Sequence, residues 1–415
     1  MLTQPPPETK LPAALTGLRV LDLSGELGNY CGKLFADMGA DVILIEPPGG
    51  SELRFQPPFI GNIAALENSL SFAYHNTSKR GVTLNLDTAT GQTMFKELAA
   101  RAEVIIESTK PGTMDRRGLC AESILGLYPR IVYTSITPFG STGPLAHYEA
   151  DDITALAMGG LLYLGGYADT APIRVYGNQA ILCANMFASV ATMLAVLEAE
   201  AGGLGQCVDV SMQEAVSMAL ETSVQYLDLE GSVRKRHAGE QRFAGTGVYP
   251  CLDGQIYLMA GGVGANKFWE RTVQWFTNEQ MPGIEAFQGD SWKRIEYLRS
   301  DEAKTIFERV FVPWSRTKTK EYLYHEGQRR KIPIAPISET SDLLSSRQLA
   351  FRRYFVEVLR NGHSLLMPGA PYKLERTPWR IQRPAPLLGQ HNTEVYGEIG
   401  ISPDELTRLY SRRII

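Results

Sequence analysis

The chain has 415 residues, more than the roughly 100–200 of a typical domain, so we expect two domains. Hydrophobic residues make up 44% and charged residues 21% of the sequence, as in ordinary globular proteins. The formal net charge of -4 and the pI of about 6.0 exclude the basic surface expected of a nucleic-acid-binding protein. The first seven residues lack the basic and apolar regions of a secretory signal, and we expect a cytoplasmic protein.

Cysteine and histidine residues give no sign of a metal site. The five cysteines and six histidines are scattered along the chain, without a CxxC pair or an HExxH motif. The odd number of cysteines and their wide spacing indicate reduced thiols rather than a disulfide framework. We therefore expect no bound metal.

The first predicted elements form a strand, a glycine-containing turn, a helix and a second strand. The strand around Val20 leads to the turn Ser24–Gly28, and the strand Gly39–Glu46 follows the helix. This order predicts a βαβ unit in a parallel sheet. The turn offers backbone N–H groups that could hold a phosphate, but its spacing is not GxGxxG, so a purely structural turn is the alternative.

A long apolar helix is predicted near the middle of the chain. Ala180–Ala201 is rich in Ala and Met and carries no charge before Glu198, which indicates a buried helix. Its interior Asn185 and Thr192, and the glycines that follow it, favour a protein core over a membrane span. Cys207–Met212 then alternates as a strand and leads into another helix.

Several short motifs recur in one order along most of the chain. They are NTSKRGVTLNLD from Asn76, PGTMDRRGL from Pro111, FGSTGP from Phe139, GQCVDVSMQEA from Gly205 and PAPLLGQHNTE from Pro384. Together they resemble the class III CoA-transferase (CaiB/BaiF) family from about Leu18 to Leu409. Within the last motif, His391 precedes a predicted helix, and we interpret it as a capping or core residue.

The resemblance implies an α/β fold with a Rossmann-like large domain and a smaller α+β domain. Residues 1–226 and 334–415 would form the large CoA-binding domain, and residues 227–333 the small one. Family members form interlocked dimers, with CoA along the large domain and the acyl group in the interdomain cleft. CoA and acyl-CoA are then substrates, and we expect no permanently bound cofactor.

In this family an aspartate at the start of the long helix attacks the acyl-CoA thioester and forms a mixed anhydride. That position falls on Ile181 or Leu182 in this chain, and neither side chain can attack a carbonyl carbon. The nearby residues that could replace the aspartate are Cys183 and Asp152, together with the adjacent Asp151. Cys183 resembles an inert core cysteine, and Asp152 matches a position that the family also fills with aspartate.

The resemblance also implies a set of CoA-binding residues. Lys79 and Arg116 would face the CoA phosphates, Ser108 and Thr109 would lie beside the CoA, and Glu26, Leu27 and Gly28 would form a loop under the pantetheine. Two departures from the family pattern leave open whether the chain itself binds CoA. Pro47 stands where many members have an arginine, and Ser108–Thr109 replaces an Asn-Phe pair.

Four hypotheses account for the missing aspartate. In the first, the chain is the non-catalytic subunit of a heterodimeric or heterotetrameric CoA-transferase, whose paralogous catalytic subunit keeps the aspartate. By analogy with family members built from two chains, the donor would be succinyl-CoA and the acceptor an aryl-substituted succinate.

In the other three hypotheses, the chain acts without a catalytic paralogue. It could be a self-sufficient transferase with Cys183 or Asp152 as the substitute nucleophile. It could be an acyl-CoA racemase, although that reaction needs two acid–base groups and the family's histidine position holds Asp151. It could also be a CoA-binding protein without enzymatic activity. None of the four requires a nucleic acid or a membrane.

Overall fold

The computed structural model describes residues 12–261 and 266–415, without the side chains of residues 266 and 267. The chain forms two compact units. The first contains the residues up to Leu162, Arg174–Val233 and Phe351–Ile415; the second contains Tyr163–Ile173 and Arg234–Ala350. The sequence had placed the boundaries after residues 226 and 333. The structure differs from this because a helix continues unbroken to Glu230, and because two short helices after residue 333 belong to the second unit. The N-terminal segment on which the expected cytoplasmic location rests lies outside the described residues.

The first unit is built on a parallel six-stranded sheet. Its strands are β1 (Arg19–Asp22), β2 (Asp41–Glu46), β3 (Arg80–Thr83), β4 (Val104–Glu107), β5 (Val132–Thr137) and β6 (Cys207–Ser211). Their spatial order is β3-β2-β1-β4-β5-β6, and every neighbouring pair is parallel. The strand order reverses between β1 and β4. In open α/β sheets, ligands bind outside the carboxyl ends of the strands at such a reversal.

Nine α-helices lie in the described part of the first unit that precedes residue 234. They are α1 (Asn29–Asp37), α2 (Leu70–His75), α3 (Ala89–Ala99), α4 (Thr113–Arg116), α5 (Ala121–Leu127), α6 (Asp152–Met158), α7 (Gln179–Gly202), α8 (Met212–Ser217) and α9 (Glu221–Glu230). One core cluster joins α1, α6, α7 and α8 to one face of the sheet, and another joins α3 and α5 to the opposite face. The sheet is therefore covered by helices on both faces, as buried parallel sheets require.

Helix α7 is buried on one face only. Small residues recur on that face, from Ala180 through Ala184 and Ala188, and Thr192 bonds to Thr134 of β5 at 2.7 Å. Larger apolar residues lie on the opposite face, where Leu194 is 62% exposed. The prediction of a buried helix therefore holds for one face of α7 and not for the other in this chain. By length and composition alone, α7 could also cross a membrane, a property shared by helices of protein cores.

The second unit has its own sheet and core. An antiparallel sheet contains β7 (Thr246–Cys251), β8 (Gly254–Met259) and β9 (Ile334–Pro336). The helices are α10 (Asn266–Asn278), α11 (Ile295–Arg299), α12 (Asp301–Ser315), α13 (Lys320–Arg330), α14 (Thr340–Leu344) and α15 (Arg347–Phe351). The core is aromatic, and the rings of Trp269 and Trp292 stack with their centroids 4.9 Å apart.

The C-terminal residues return to the first unit. They form the hairpin β10 (Phe355–Arg360) and β11 (His363–Pro368), followed by α16 (Asn392–Glu398) and α17 (Pro403–Ser411). Short 3₁₀ helices span Glu52–Phe55, Ile60–Asn62, Leu162–Leu164, Met218–Leu220, Ile284–Phe287 and Asp290–Lys293.

Buried ion pairs connect the C-terminal residues to the N-terminal half of the chain. The fully buried Arg54 pairs with Glu46 and Glu67, each at 2.7 Å, and Glu67 also pairs with Arg360 at 2.9 Å. His391 has a structural position, because its Nδ1 accepts a hydrogen bond from the backbone of Gly81 at 3.0 Å. Both ends of the sequence thus complete one unit.

Candidate active site

The loops that follow β1 and β4 meet at the reversal of strand order. The backbone nitrogen of Gly25 donates to Ser108 Oγ at 3.1 Å, which joins the two loops. Two clefts, of about 210 and 450 Å³, lie at the carboxyl ends of the strands and share Thr109 and Met114. The structure therefore brings together two of the predicted segments, Glu26–Gly28 and Ser108–Thr109.

Close packing shapes the loop after β1. A Cβ atom at Gly28 would lie 2.5 Å from Ser24 Cβ, so only glycine fits where α1 begins. The neighbouring Asn29 is fully buried, and its Nδ2 donates to the backbone oxygen of Ser24. Leu27 is half-buried, and its carbonyl oxygen accepts from Asn185 Nδ2 of α7 at 2.7 Å. These contacts hold the loop between α1 and α7.

Glu26 connects this loop to the start of α7. Its Oε1 accepts from Nδ2 of Asn178, the residue that precedes α7, at 3.0 Å. Its Oε2 accepts from Gln56 Nε2 at 2.6 Å. The family resemblance predicts that Glu26 lies beneath the pantetheine, and its contact with the start of α7 was not predicted. No sequence signal links Glu26 to Asn178, because 152 positions separate them.

The first turn of α7 has no carboxylate of its own. Ile181, one of the two family positions, is only 6% exposed and packs in the core. Leu182, the other, is half-buried, and its N–H donates to the carbonyl oxygen of Asn178 at 3.0 Å. Asp152 reaches the helix start from α6, and its Oδ1 accepts from the backbone nitrogens of Ala180 at 2.7 Å and Ile181 at 3.2 Å. It therefore caps α7.

The substitute nucleophiles suggested by the sequence are occupied in structural contacts. The Cys183 thiol donates to the carbonyl oxygen of Ala215 at 3.2 Å, and burial raises the pKa of this thiol. Asp151 caps α6 by accepting from Thr154, and these hydrogen bonds lower the pKa of the Asp151 carboxyl. Asp152 is 4% exposed, and its Oδ2 is buried without a partner. A neutral thiol and a buried capping carboxylate are poorly placed to attack a thioester.

Lys79 lies in the core rather than at the surface. Its ammonium is fully buried and donates to Asp22 Oδ2 at 2.7 Å, and to the Asn29 carbonyl oxygen and Asn76 Oδ1 at 2.8 Å each. All three donors of the ammonium are therefore used, and a phosphate could reach Lys79 only if this network opened. A contact between Lys79 and CoA therefore stays a prediction, and the buried position of Lys79 does not favour it.

Arg116 and Thr109, two more of the predicted CoA-binding residues, have more accessible positions than Lys79. Arg116, at the end of α4, is exposed, and its guanidinium donates to Thr113 Oγ1 at 3.2 Å. Thr109 lines both clefts while its hydroxyl donates to Glu107. Burial raises the pKa of Glu107. Pro47 lines the smaller cleft. Among the residues that the structure describes, His, Cys, Asp and Glu side chains form no group of three that could hold a metal ion.

Comparison with known proteins places this geometry in a family. Residues 15–392 match the model of CoA-transferase family III. The chain is 39% identical to succinyl-CoA:(R)-benzylsuccinate CoA-transferase subunit BbsE of Thauera aromatica, over 94% of this chain and 95% of the relative. It is 31% identical to succinyl-CoA:mesaconate CoA-transferase of Haloarcula marismortui, over 94% of this chain and 97% of that protein.

A solved structure agrees with this assignment. The crystal structure of a CaiB/BaiF family protein from Brucella suis superposes with a TM-score of 0.82 at 25% identity, covering 94% of this chain and all of that one. The predicted α/β class and the resemblance drawn from the sequence motifs are thereby confirmed. The chain belongs to CoA-transferase family III, the CaiB/BaiF family.

Proposed function

We propose that this chain is the structural partner of a catalytic paralogue in a two-chain class III CoA-transferase. The complex moves CoA from an acyl-CoA donor to a carboxylic acid, and the attacking aspartate belongs to the paralogue. One observation carries the proposal: the start of α7 presents Ile181 and Leu182, and the nearby Asp152 carboxylate is buried as the cap of the helix.

The chemistry explains why this observation matters. A carboxylate oxygen must add to the thioester carbonyl carbon, the C–S bond must break, and the CoA thiolate must leave behind an acyl anhydride. Neither hydrocarbon side chain can form that anhydride. Asp152 Oδ1 already accepts from two backbone N–H groups, and Oδ2 is shielded from solvent. A free carboxylate on the α7 of a second chain would supply the missing group.

The exposed face of α7 supports the presence of a second chain. Met186, Val190, Leu194 and Leu197 follow one another at helical spacing on this face, and each is more than half exposed. Soluble proteins seldom leave an extended apolar face in water, and such faces mark contacts with other proteins. We propose that a second family chain covers it in the interlocked arrangement expected of this family. The similarity to BbsE, which is itself a subunit, favours a paralogue over a second copy.

The proposed substrates follow from the relatives. The names of both relatives, BbsE and the Haloarcula enzyme, specify succinyl-CoA. We propose succinyl-CoA as the donor and, because BbsE is the more similar of the two, an aryl-substituted succinate as the acceptor. The alternatives of a substitute nucleophile or a racemase gain no support from the contacts of Cys183, Asp151 and Asp152.

Co-expression tests this function. The chain is produced alone and together with a family paralogue that has aspartate at the position of Ile181 or Leu182. Each preparation is assayed for CoA transfer from succinyl-CoA to benzylsuccinate. We expect a stable complex with transferase activity and no turnover by the chain alone. Full turnover by the isolated chain, or failure of every such paralogue to bind it, would refute the proposal.

A further inference from the structure

A second carboxylate lies at the start of α7, on a different element. Glu26 belongs to the loop after β1, and Asn178 Nδ2, at the N-cap of α7, donates to it at 3.0 Å. Glu26 is half-buried rather than enclosed. An acyl group presented to the first turn of α7 would meet it.

The charge of Glu26 has no cationic partner nearby. Both of its oxygens accept from neutral amides, those of Gln56 and Asn178. Within residues 12–261 and 266–415, no lysine or arginine lies within ion-pair distance of it. Lys79 does reach the next turn, at the carbonyl oxygen of Asn29, but its charge is paired with Asp22. The loop therefore carries an unneutralised negative charge.

Two amide hydrogen bonds also fix where that charge lies. Gln56 ends the 3₁₀ helix Glu52–Phe55, and Asn178 precedes a helix of 24 residues. Both anchors are parts of folded elements, so the carboxylate cannot swing away from an incoming anion without losing a hydrogen bond. A fixed charge discriminates between ligands better than a mobile one.

We propose that Glu26 is a specificity-determining residue that excludes acyl-CoA molecules whose acyl group carries a second carboxylate. Such a group would bring its charge close to the Glu26 carboxylate, where repulsion amounts to roughly a ten-fold loss of affinity at intermediate dielectric. A neutral acyl group of similar size meets no such repulsion. The acyl-CoA site of this chain would then exclude succinyl-CoA, which would bind at the site of the partner chain.

This inference rests on the proposed function in one respect, since it assumes that acyl-CoA binds with its acyl group at the start of α7. The two can nevertheless fail separately. Loss of the discrimination would leave the two-chain enzyme intact, whereas turnover by the isolated chain would refute the structural-partner role and leave the ligand preference measurable.

The test measures dissociation constants for succinyl-CoA and for the neutral butyryl-CoA, by calorimetry, on the full chain alone and in complex with its paralogue. The readout is the ratio of the two constants, which does not depend on the fraction of folded protein. Glu26→Gln removes the charge and keeps the shape. Glu52→Gln, at an exposed glutamate of the neighbouring 3₁₀ helix, is the matched control. Asn178→Ala removes one anchor and keeps the charge.

We expect the wild type and the Glu52→Gln variant to bind butyryl-CoA roughly ten-fold more tightly than succinyl-CoA at low salt. The ratio should fall towards one in Glu26→Gln, and also in the wild type as salt is raised, because salt screens a partly exposed charge. Asn178→Ala should keep only part of the discrimination, because the charge remains but one of its two anchors is lost. An equal ratio in the wild type and Glu26→Gln, a ratio unaffected by salt, or a wild type that binds neither ligand would overturn the proposal.

Discussion

Asp152 Oδ1 lies 2.7 Å from the backbone nitrogen of Ala180, so a carboxylate that reaches the start of α7 serves to cap the helix. The same oxygen also accepts from the backbone nitrogen of Ile181 at 3.2 Å. The first N–H groups of a helix have no partner within the helix, and an aspartate satisfies them well. The carboxylate that contacts the family's nucleophile position thus stabilises the fold.

Replacement of Asp152 should affect stability more than chemistry. Asp152→Ala removes the cap, and we expect a loss of about 1–2 kcal/mol in the free energy of unfolding. Asp152→Asn keeps an oxygen acceptor and should lose less, with the transferase activity of the complex unchanged. Urea denaturation and the activity assay check this. An inactive but stably folded Asp152→Asn variant would show that Asp152 acts in the reaction.

The loss of stability caused by restoring an aspartate should depend on which of the two family positions is changed. Ile181→Asp places a charge in the core beside the Asp152 cap, and we expect it to cost about 3 kcal/mol or more. Leu182→Asp, at a half-buried position, should cost about 1 kcal/mol and leave a folded chain. Thermal denaturation of both variants separates them. Equal stability of the two would contradict the burial assigned to Ile181.

Lys79 and Arg116 should behave differently although the sequence predicted the same role for both. Lys79→Met leaves the buried Asp22 carboxylate without its partner, and we expect a loss of about 3–5 kcal/mol of stability. Adding Asp22→Asn should recover part of this loss. Arg116→Ala, at an exposed position, should leave stability within about 0.5 kcal/mol and weaken CoA binding, with a smaller salt dependence. A stable Lys79→Met variant with weakened CoA binding would reverse this assignment.

His75 should make the fold sensitive to mild acid. Burial, with Lys79 and Lys33 nearby, lowers the pKa of His75 to about 4, and its Nδ1 is buried without a partner. The unfolded chain binds a proton near pH 6.5, whereas the folded chain does not until about pH 4. Stability contributed by neutral His75 is thus present above pH 6.5 and is lost as the pH falls towards 4, by an amount on the order of 3 kcal/mol. Urea denaturation between pH 7 and pH 4 should show a shallower decline for His75→Phe, which retains an aromatic ring, than for the wild type. Parallel declines would contradict the lowered pKa.

Cys183 should be dispensable for activity. Its thiol donates to Ala215, and burial raises its pKa, so little thiolate forms near neutral pH. We expect Cys183→Ala to keep the activity of the complex and to lose less than about 1 kcal/mol of stability. Loss of turnover in this variant, with an unchanged unfolding transition, would make Cys183 a participant in the reaction.

The sequence predicted the elements of the fold well because their signals are local. The turn Ser24–Gly28 lies where it was predicted, and the strand predicted at Cys207–Met212 is β6, which ends one residue earlier. The structure confirms a parallel α/β sheet. The sequence predicted a buried α7, yet one of its faces is exposed in this chain. Its residues are apolar on both sides, so periodicity could not show which side contacts the sheet.

The site was only partly predictable, because its contacts join distant positions. Glu26 and Asn178 are 152 residues apart, and nothing in either segment indicates their hydrogen bond. Lys79 lies in a motif that resembles the family's, which predicted a contact with a CoA phosphate. Its charge is instead balanced by Asp22, 57 positions earlier. Residue type indicates what chemistry a side chain can perform, whereas burial and pairing decide whether it is free to do so.

The central claim is that the reactive carboxylate of the complex belongs to the other chain. The most direct measurement is the turnover of a reconstituted complex in which the aspartate of the paralogue, at the position of Ile181 or Leu182, is changed to asparagine. The account predicts that this complex assembles normally, as judged by its elution volume, and shows no CoA transfer above the uncatalysed rate. Undiminished turnover by that assembled complex would contradict it.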